Sequence, residues 1–222
     1  ALLPARAHRE ELAADVAEPR NGGGAPGAAA GAGRAGAGLL LGCATAGDCA
    51  AAAAGLAGLE GVPPGCALRV SADELGPSEG GDSPAARLQA GLADFLSRCP
   101  RGLVVLSEAQ RLPLEALPAL HSALSELGGF QHGGAVDASR ATYALLLELD
   151  SALVARQAAR AEPAEASVWL KDVFFEDVLG AEVAAAPDQA RASAVLEPLL
   201  RALRRRVDFA APLRLSAAAE RE

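Results

Sequence analysis

The feature that most constrains the fold is the regular alternation of short apolar runs with longer stretches of helical character. The apolar runs are Leu39–Leu41, Ala67–Val70, Leu103–Leu106, Tyr143–Leu147 and Val207–Leu213. A strand of a parallel sheet is buried on both faces, so it reads as a nearly continuous apolar run. Helices between such strands cover the two faces of the sheet. The pattern therefore predicts an α/β fold, a three-layer sandwich around a parallel sheet of about five strands.

Helical stretches are predicted between the strands from the spacing of their apolar residues. They run from Asp48 to about Leu59, through Leu88, Leu92 and Phe95-Leu96, from Leu114 to about Leu127, from Val168 to Leu179, and from Asp188 to about Arg206 with an interruption at Pro198. Trp169, Phe174 and Phe175 share one of these helices, and we expect them in the core rather than in an interface. Ligands of such sheets bind beyond the carboxyl ends of the strands.

The chain is predicted to contain four segments: a short amphipathic helix over residues 1–20, a flexible Gly/Ala-rich segment over 21–38, the α/β domain over 39–215 and a tail over 216–222. Residues 31–36 match the dinucleotide fingerprint G-x-G-x-x-G by letter, but no strand precedes them and no helix follows. No apolar run approaches the roughly 20 residues that span a bilayer. A membrane anchor outside this sequence is left open.

Charge and metal-ligand types exclude several functions. The formal net charge of −8 disfavours nucleic acid as a partner. The cysteines, Cys43, Cys49, Cys66 and Cys99, form no CxxC pair, and the histidines, His8, His121 and His132, are scattered. No metal site is predicted from these spacings. An even number of cysteines permits disulfides without requiring them.

The turn after the first strand keeps the frame of the phosphate-binding P-loop, G-x-x-x-x-G-K-[ST], over Gly42–Cys49. Asp48 replaces the lysine that contacts phosphate, and Cys49 replaces the hydroxyl that holds magnesium. A carboxylate at this point repels the triphosphate. In the simpler interpretation, Gly42 and Gly47 flank an ordinary turn before a helix, and Asp48 caps that helix. Cys43 and Cys49 are compatible with a disulfide and equally with buried thiols.

The third strand ends in Ser107-Glu108, where ATPases of this type carry Asp-Glu. The carboxylate that holds the metal is therefore missing, and only Glu108 remains at its place. An exposed glutamate at a strand end is more often a surface charge than a catalytic base. Together with Asp48, this predicts a chain that uses no nucleotide cofactor and does not hydrolyse ATP by itself.

Three stretches resemble torsin-type AAA+ proteins: residues 103–120, 136–147 and 199–213, which correspond to the third strand and the helix after it, the fourth strand, and the last helix and strand. The overall organisation is similar to that of the torsin-activating cofactors, the luminal domains of lamina-associated-polypeptide type. Those have a torsin-like AAA+ large domain without P-loop chemistry and lack the small C-terminal helical subdomain. The resemblance implies the same architecture here.

The resemblance also implies a function. It predicts a non-hydrolysing regulator that binds a torsin-type AAA+ ATPase as a hetero-oligomer and offers an arginine finger to the partner's ATP. The finger position lies at the end of the last helix, before Pro212, and corresponds to Arg205, with Arg204 and Arg206 as alternatives. A guanidinium suits the charge on a transferred phosphoryl group, although cations also stabilise any helix C-terminus. The implied location is the endoplasmic reticulum lumen or perinuclear space.

Other functions remain open at this point. The chain is also compatible with a torsin-like P-loop ATPase that has an unusual phosphate loop, which measurable ATP affinity would favour. A structural clamp-loader-type subunit is disfavoured by the acidic charge, because contact with DNA needs a basic face. An unrelated Ala-rich Rossmann-like module is a further alternative. The sequence does not separate an activator from a scaffold.

Overall fold

The structure, a computed structural model, describes residues 36–59, 62–76, 81–125, 128–131, 135–154 and 162–213. All of the described residues belong to one compact unit, Arg34–Glu222. The helix predicted over 1–20, nearly all of the Gly/Ala-rich segment and the tail over 216–222 lie outside the described residues.

The predicted strands form one parallel sheet. They are β1 (Gly38–Cys43), β2 (Ala67–Ser71), β3 (Leu103–Ser107), β6 (Thr142–Glu148) and β7 (Phe209–Pro212). Their spatial order is β2-β3-β6-β1-β7, and every neighbouring pair is parallel. The prediction of an α/β fold around about five parallel strands is confirmed. All carboxyl ends meet at one edge of the sheet and all amino ends at the opposite edge.

The helices cover the two faces unequally. They are α1 (Ala46–Ala57), α2 (Pro84–Arg98), α3 (Leu117–Leu124), α4 (Pro163–Asp172), α5 (Leu179–Ala185) and α6 (Gln189–Arg206). Helices α2 to α6 contribute to the larger hydrophobic core, on the face that carries Leu40 and Leu145. On the other face, the buried residues of α1 pack against Leu41, Val105 and Leu146. Among the described helices, α1 alone covers that second face.

A π-helical segment, Val173–Val178, joins α4 to α5. The wider turn of a π-helix inserts an extra residue. The adjacent Phe174 and Phe175 are both buried, and their rings meet edge to face with centroids 4.8 Å apart. Trp169 is partly buried against the same core. The prediction that these aromatic residues belong to the core is confirmed for Phe174 and Phe175, whereas Trp169 lies at the margin of the core.

Helix α6 corrects the prediction of an interruption at Pro198, because it runs unbroken from Gln189 to Arg206 with Pro198 inside it. Proline cannot donate a hydrogen bond to the carbonyl of Ala194, one turn earlier. Pro198 and Ala194 are both exposed, so water can satisfy that carbonyl. The missing backbone hydrogen bond lies on the solvent side of α6, so the packed side of the helix stays intact.

Between residues 114 and 137, one predicted helix is shorter than expected, and the structure adds a hairpin. The helix expected to run to about Leu127 begins with a 3₁₀ turn, Leu114–Ala116, and ends at Leu124, because Ser125 takes an extended backbone conformation. The antiparallel hairpin of β4 (Gly129–Gln131) and β5 (Ala135–Asp137) was not predicted. Its strands are very short, and Phe130 and Val136 are their only buried residues.

No helix in the described part of the chain combines the length and the apolar character needed to cross a bilayer.

Candidate functional site

The predicted site residues fall into two groups at opposite edges of the sheet. The P-loop frame follows the carboxyl end of β1 at Cys43. Arg204, Arg205 and Arg206 end α6, and the chain then returns to the amino end of β1, where the Asp208 N–H donates to the Gly38 carbonyl at 2.8 Å. The length of β1 places the two edges roughly 16 Å apart. The two groups therefore cannot act on one small ligand.

The turn at the P-loop position is short and capped from within. Only Ala44 and Thr45 separate β1 from α1. Thr45 is the N-cap, and its hydroxyl accepts a hydrogen bond from the Asp48 N–H at 3.1 Å. A P-loop instead turns such backbone N–H groups toward the phosphates. Gly47 and Asp48 lie in the first helical turn. The simpler interpretation of this motif is therefore corrected in one respect, because Thr45 and not Asp48 caps the helix.

The first glycine of the frame has a packing role. A Cβ atom on Gly42 would lie 3.0 Å from a methyl carbon of Leu170 in α4 and 3.1 Å from one of Leu149. At Gly47 the nearest atom is the Thr45 hydroxyl oxygen, at 3.6 Å, so a side chain would fit there. The close packing of α4 on the sheet is therefore sufficient to explain Gly42 without a phosphate.

All four cysteines are paired. Cys43 bonds to Cys49, with their Cα atoms 5.4 Å apart, and this bond ties the end of β1 to the first turn of α1. The sulfur at the magnesium-holding position of the motif is thus bonded within the chain. The second pair, Cys66–Cys99, joins the start of β2 to the C-cap of α2. The sequence left the Cys43–Cys49 bond open and gave no signal for the pairing of Cys66 with Cys99.

Ser107 and Glu108 lie at the end of β3, as predicted, and both are engaged with β2. The Ser71 hydroxyl donates to the Glu108 carboxylate at 2.6 Å. Arg111 lies 3.6 Å from the same carboxylate. The Ser107 hydroxyl donates weakly to the Val70 carbonyl at 3.4 Å. Glu108 also has a φ of 55°, in the left-handed region that side chains rarely adopt.

A cavity of about 240 Å³ opens at the carboxyl edge on the α1 side, and Cys49, Ser107 and Glu108 contribute to its wall. Arg69 of β2 and Glu148 of β6 line it as well. Two carboxylates and one guanidinium face this space, so its charged lining is acidic on balance. Sequence reasoning missed Arg69 and Glu148. They lie in β2 and β6, the strands on either side of β3, so the strand order is needed to bring them to one cavity.

The arginines at the end of α6 occupy different environments. Arg204 forms ion pairs with Asp172 of α4 and with Glu176 of the π-helical segment, and its side chain is only 30% exposed. Arg206 is half-buried. Arg205 is exposed, and no side chain in the described ranges forms an ion pair or hydrogen bond with it. Adjacent residues in the same basic run are thus clearly distinguished by their contacts.

The junction between α6 and β7 is anchored on two sides. The Lys171 ammonium donates to the Val207 carbonyl at 2.6 Å. Burial lowers the pKa of Lys171, the charge of Arg204 lowers it further, and Asp208 opposes the shift. The Asp208 carboxylate accepts from the Gly38 N–H at 2.8 Å. With the Arg204 ion pairs, these contacts fix the backbone from which Arg205 projects.

A second cavity, of about 190 Å³, lies at the amino edge beside Arg205. Ser125, Ser139, Asp208 and Tyr143 also line it. Tyr143 donates to the Ala138 carbonyl at 3.0 Å, and burial, assisted by the charge of Asp137, raises the pKa of its phenol. Tyr143 therefore stays neutral, and the cavity presents hydroxyl and guanidinium groups together with the Asp208 carboxylate.

Within the described residues, the remaining candidates form no metal site. His121 lies in α3 and is half-buried, whereas His8 and His132 lie outside the described residues. Within the described ranges, no group of three histidine, cysteine, aspartate or glutamate side chains is arranged to hold a metal ion.

Comparison with solved structures finds a similar fold in Hsp104. The chain superposes on Hsp104 in a closed-state reconstruction with ATPγS and casein, with a TM-score of 0.51 at 13% sequence identity. It also superposes on the S. cerevisiae Hsp104–ADP complex, with a TM-score of 0.52 at 15% identity. These matches cover 80% and 83% of this chain but only 29% and 30% of the Hsp104 chains.

At such identities the similarity defines the fold alone. The domain is an α/β sheet flanked by helices that resembles a large domain of Hsp104. No protein-family model and no curated protein matches the sequence.

Proposed function

We propose that this chain is a non-hydrolysing AAA+-like regulator that binds a torsin-type ATPase and stimulates its ATP hydrolysis through Arg205. The observation that carries the proposal is the contrast within one basic run: Arg204 is held by two acidic residues, while Arg205 is exposed without a described partner. A guanidinium that is fixed through its backbone and unpaired at its tip is suited to bind charge on another molecule.

The nucleotide on which Arg205 acts belongs to the partner. Arg205 lies at the amino edge of the sheet, and the degenerate P-loop lies at the carboxyl edge. The phosphate loop lacks its lysine, and its turn is capped by Thr45. The last four positions of the motif, residues 46–49, lie inside α1. Arg205 therefore serves as a group supplied in trans, which stabilises the charge that develops on the γ-phosphoryl group as water displaces ADP.

The disulfides support the proposed location. Both cysteine pairs are bonded, and protein disulfides persist in oxidising compartments such as the endoplasmic reticulum lumen. The perinuclear space is continuous with that lumen. A partner ATPase of torsin type would share this compartment with the chain.

The test is ATP turnover by a torsin-type ATPase with increasing amounts of the native chain or of two arginine variants. Arg205→Ala is expected to reduce the stimulated rate by on the order of 10³-fold, or to the partner's basal rate, because the transition-state charge loses its guanidinium. Arg201→Ala is the matched control. Arg201 is also exposed, lies one turn earlier on α6, and is expected to leave the stimulation unchanged.

Two results would contradict the proposal. The first is stimulation that survives in Arg205→Ala while the variant still binds the partner. The second is an equal loss in Arg201→Ala, which would indicate a general effect of surface charge. A Lys variant at position 205 keeps the charge without the planar fork, and we expect it to restore little of the rate.

A further inference from the structure

The cavity of about 240 Å³ at the carboxyl edge exists because α1 presents small side chains to the sheet. The wall that α1 contributes includes Ala46, Ala50 and Ala53. Alanine side chains end at Cβ, so this wall leaves space above β3 and β6, where Val105 and Leu146 line the cavity. Pockets for drug-sized ligands measure about 300–1,000 Å³, so this apolar space suits a smaller molecule.

Two side chains of opposite charge line the same cavity from either side of β3. Arg69 of β2 is in register with Val105, and Val105 is in register with Ala144 of β6. Glu148 lies four positions after Ala144, so Arg69 and Glu148 belong to the sheet face that α1 covers. Two strand spacings and four positions along the strand place their Cα atoms roughly 16 Å apart.

The charges of Arg69 and Glu148 are available to a ligand. Both residues are exposed, and no side chain in the described ranges forms an ion pair or hydrogen bond with the guanidinium of Arg69 or the carboxylate of Glu148. A binding site for a small molecule typically combines an apolar lining with a few polar groups that converge on it. This cavity has both.

A second carboxylate in the wall is held in place by the protein. Glu108 accepts a hydrogen bond from the Ser71 hydroxyl at 2.6 Å and lies 3.6 Å from Arg111. These contacts order its side chain before a ligand arrives, which removes part of the entropy loss on binding. The left-handed backbone of Glu108, with a φ of 55°, is of the kind that clusters at ligand sites.

We propose that this cavity binds a small zwitterion, namely an α-amino acid with a short aliphatic side chain. The carboxylate of the ligand pairs with Arg69, its ammonium group pairs with Glu148, and its side chain covers Val105 and Leu146. A simple anion would face two carboxylates, and a simple cation would leave the guanidinium without a partner. The inference is independent of the proposed function, because Arg205 lies at the opposite edge of the sheet.

The test is calorimetric titration of the purified chain with L-leucine and with three analogues that each lack one group. Leucinamide lacks the carboxylate, 4-methylpentanoate lacks the ammonium group, and glycine lacks the aliphatic side chain. We expect L-leucine to bind with a dissociation constant of about 1 mM or below. Each analogue is expected to bind at least about tenfold more weakly, because it loses one charged hydrogen bond or the apolar contact.

Two variants connect each charge of the ligand to one residue. Arg69→Gln is expected to weaken L-leucine binding by about tenfold or more without weakening leucinamide, which has no carboxylate for Arg69. Glu148→Gln is expected to weaken L-leucine equally without weakening 4-methylpentanoate, which has no ammonium group. Arg101→Gln and Glu165→Gln are the matched controls, because both residues are exposed and lie outside the cavity. Thermal unfolding verifies that each variant is folded.

Four results would overturn the inference. The first is no saturable binding of L-leucine by the native chain. The second is an affinity for L-leucine that stays the same in Arg69→Gln or Glu148→Gln, or that falls equally in the two controls. The third is equal affinity for leucinamide and L-leucine, which would indicate a site that recognises only a cation, such as the amino terminus of a peptide. The fourth is equal affinity for glycine, which would exclude a role for the apolar lining.

Discussion

At the scale of single residues, contacts rather than sequence position distinguish Arg205 from its neighbours. Consecutive residues of a helix point roughly 100° apart, but the sequence does not show which direction faces acids and which faces solvent. Here Leu200 and Leu203 are buried and set the rotation of α6. Arg204 is thereby directed toward Asp172 and Glu176. The sequence predicted Arg205 with two alternatives, and only the packing of α6 gives the three arginines different roles.

Tyr143 carries a prediction that can be read spectroscopically, because it is the only tyrosine in the chain. Burial raises the pKa of its phenol. An unperturbed tyrosine ionises near pH 10. In the folded chain we expect no tyrosinate absorbance at about that pH. The absorbance should appear only at higher pH or on unfolding. Ionisation of the folded chain at the ordinary tyrosine pKa would contradict the buried environment.

The same shift makes stability depend on pH. Because the folded-state pKa is raised, the unfolded chain loses the proton first, so the contribution of Tyr143 is complete below about pH 10 and falls above it. Tyr143→Phe should remove this fall. The variant should also cost about 1 kcal/mol at neutral pH, from the lost hydrogen bond to Ala138. Urea unfolding of the native chain and of Tyr143→Phe, below and above the ordinary tyrosine pKa of about 10, measures the pH dependence and the lost hydrogen bond.

At the scale of elements, the large strands were predictable and the small ones were not. β3 and β6 are nearly continuous apolar runs, because a strand that is buried on both faces carries apolar residues on both. The hairpin of β4 and β5 has one buried residue per strand, so it has no period to detect. The carboxyl-edge cavity could be predicted only from the order of the strands. Arg69 and Glu148 come close to Glu108 only when β2, β3 and β6 lie side by side.

The disulfides link elements over different distances, and this gives a prediction about stability. Cys66–Cys99 spans 33 positions and Cys43–Cys49 spans 6. The chain-entropy model assigns about 4 kcal/mol to the longer loop and about 2 kcal/mol to the shorter one. Each bond can be measured in a chain whose other pair is replaced by alanine. The free energy of unfolding is then compared before and after reduction with a dithiol, which leaves the side chains in place.

The expected result is a larger loss on reduction of Cys66–Cys99 than on reduction of Cys43–Cys49. A larger loss for the short pair would show that the turn between β1 and α1 depends on its bond for more than chain entropy. The sequence could not make this comparison, because the pairing itself appears only when β2 and α2 are in place.

At the scale of the whole molecule, the AAA+-like sheet separates the two predicted sites. The fold places the P-loop frame at one edge and the exposed Arg205 at the other. Under the proposed function, a second molecule therefore brings the phosphate to Arg205. The fold class followed from the sequence, whereas this separation follows from the register of β1 with β7.

The most direct test of the central claim, that the nucleotide belongs to the partner, is calorimetric titration of Mg-ATP into the purified chain. We expect no heat of binding and no thermal shift. We expect the same for Asp48→Lys, because the Thr45 cap and the Cys43–Cys49 bond keep the turn closed. Binding by Asp48→Lys alone would show that charge, not the shape of the turn, excludes the nucleotide. Micromolar binding by the native chain would contradict the claim and would favour a torsin-like ATPase with an unusual phosphate loop.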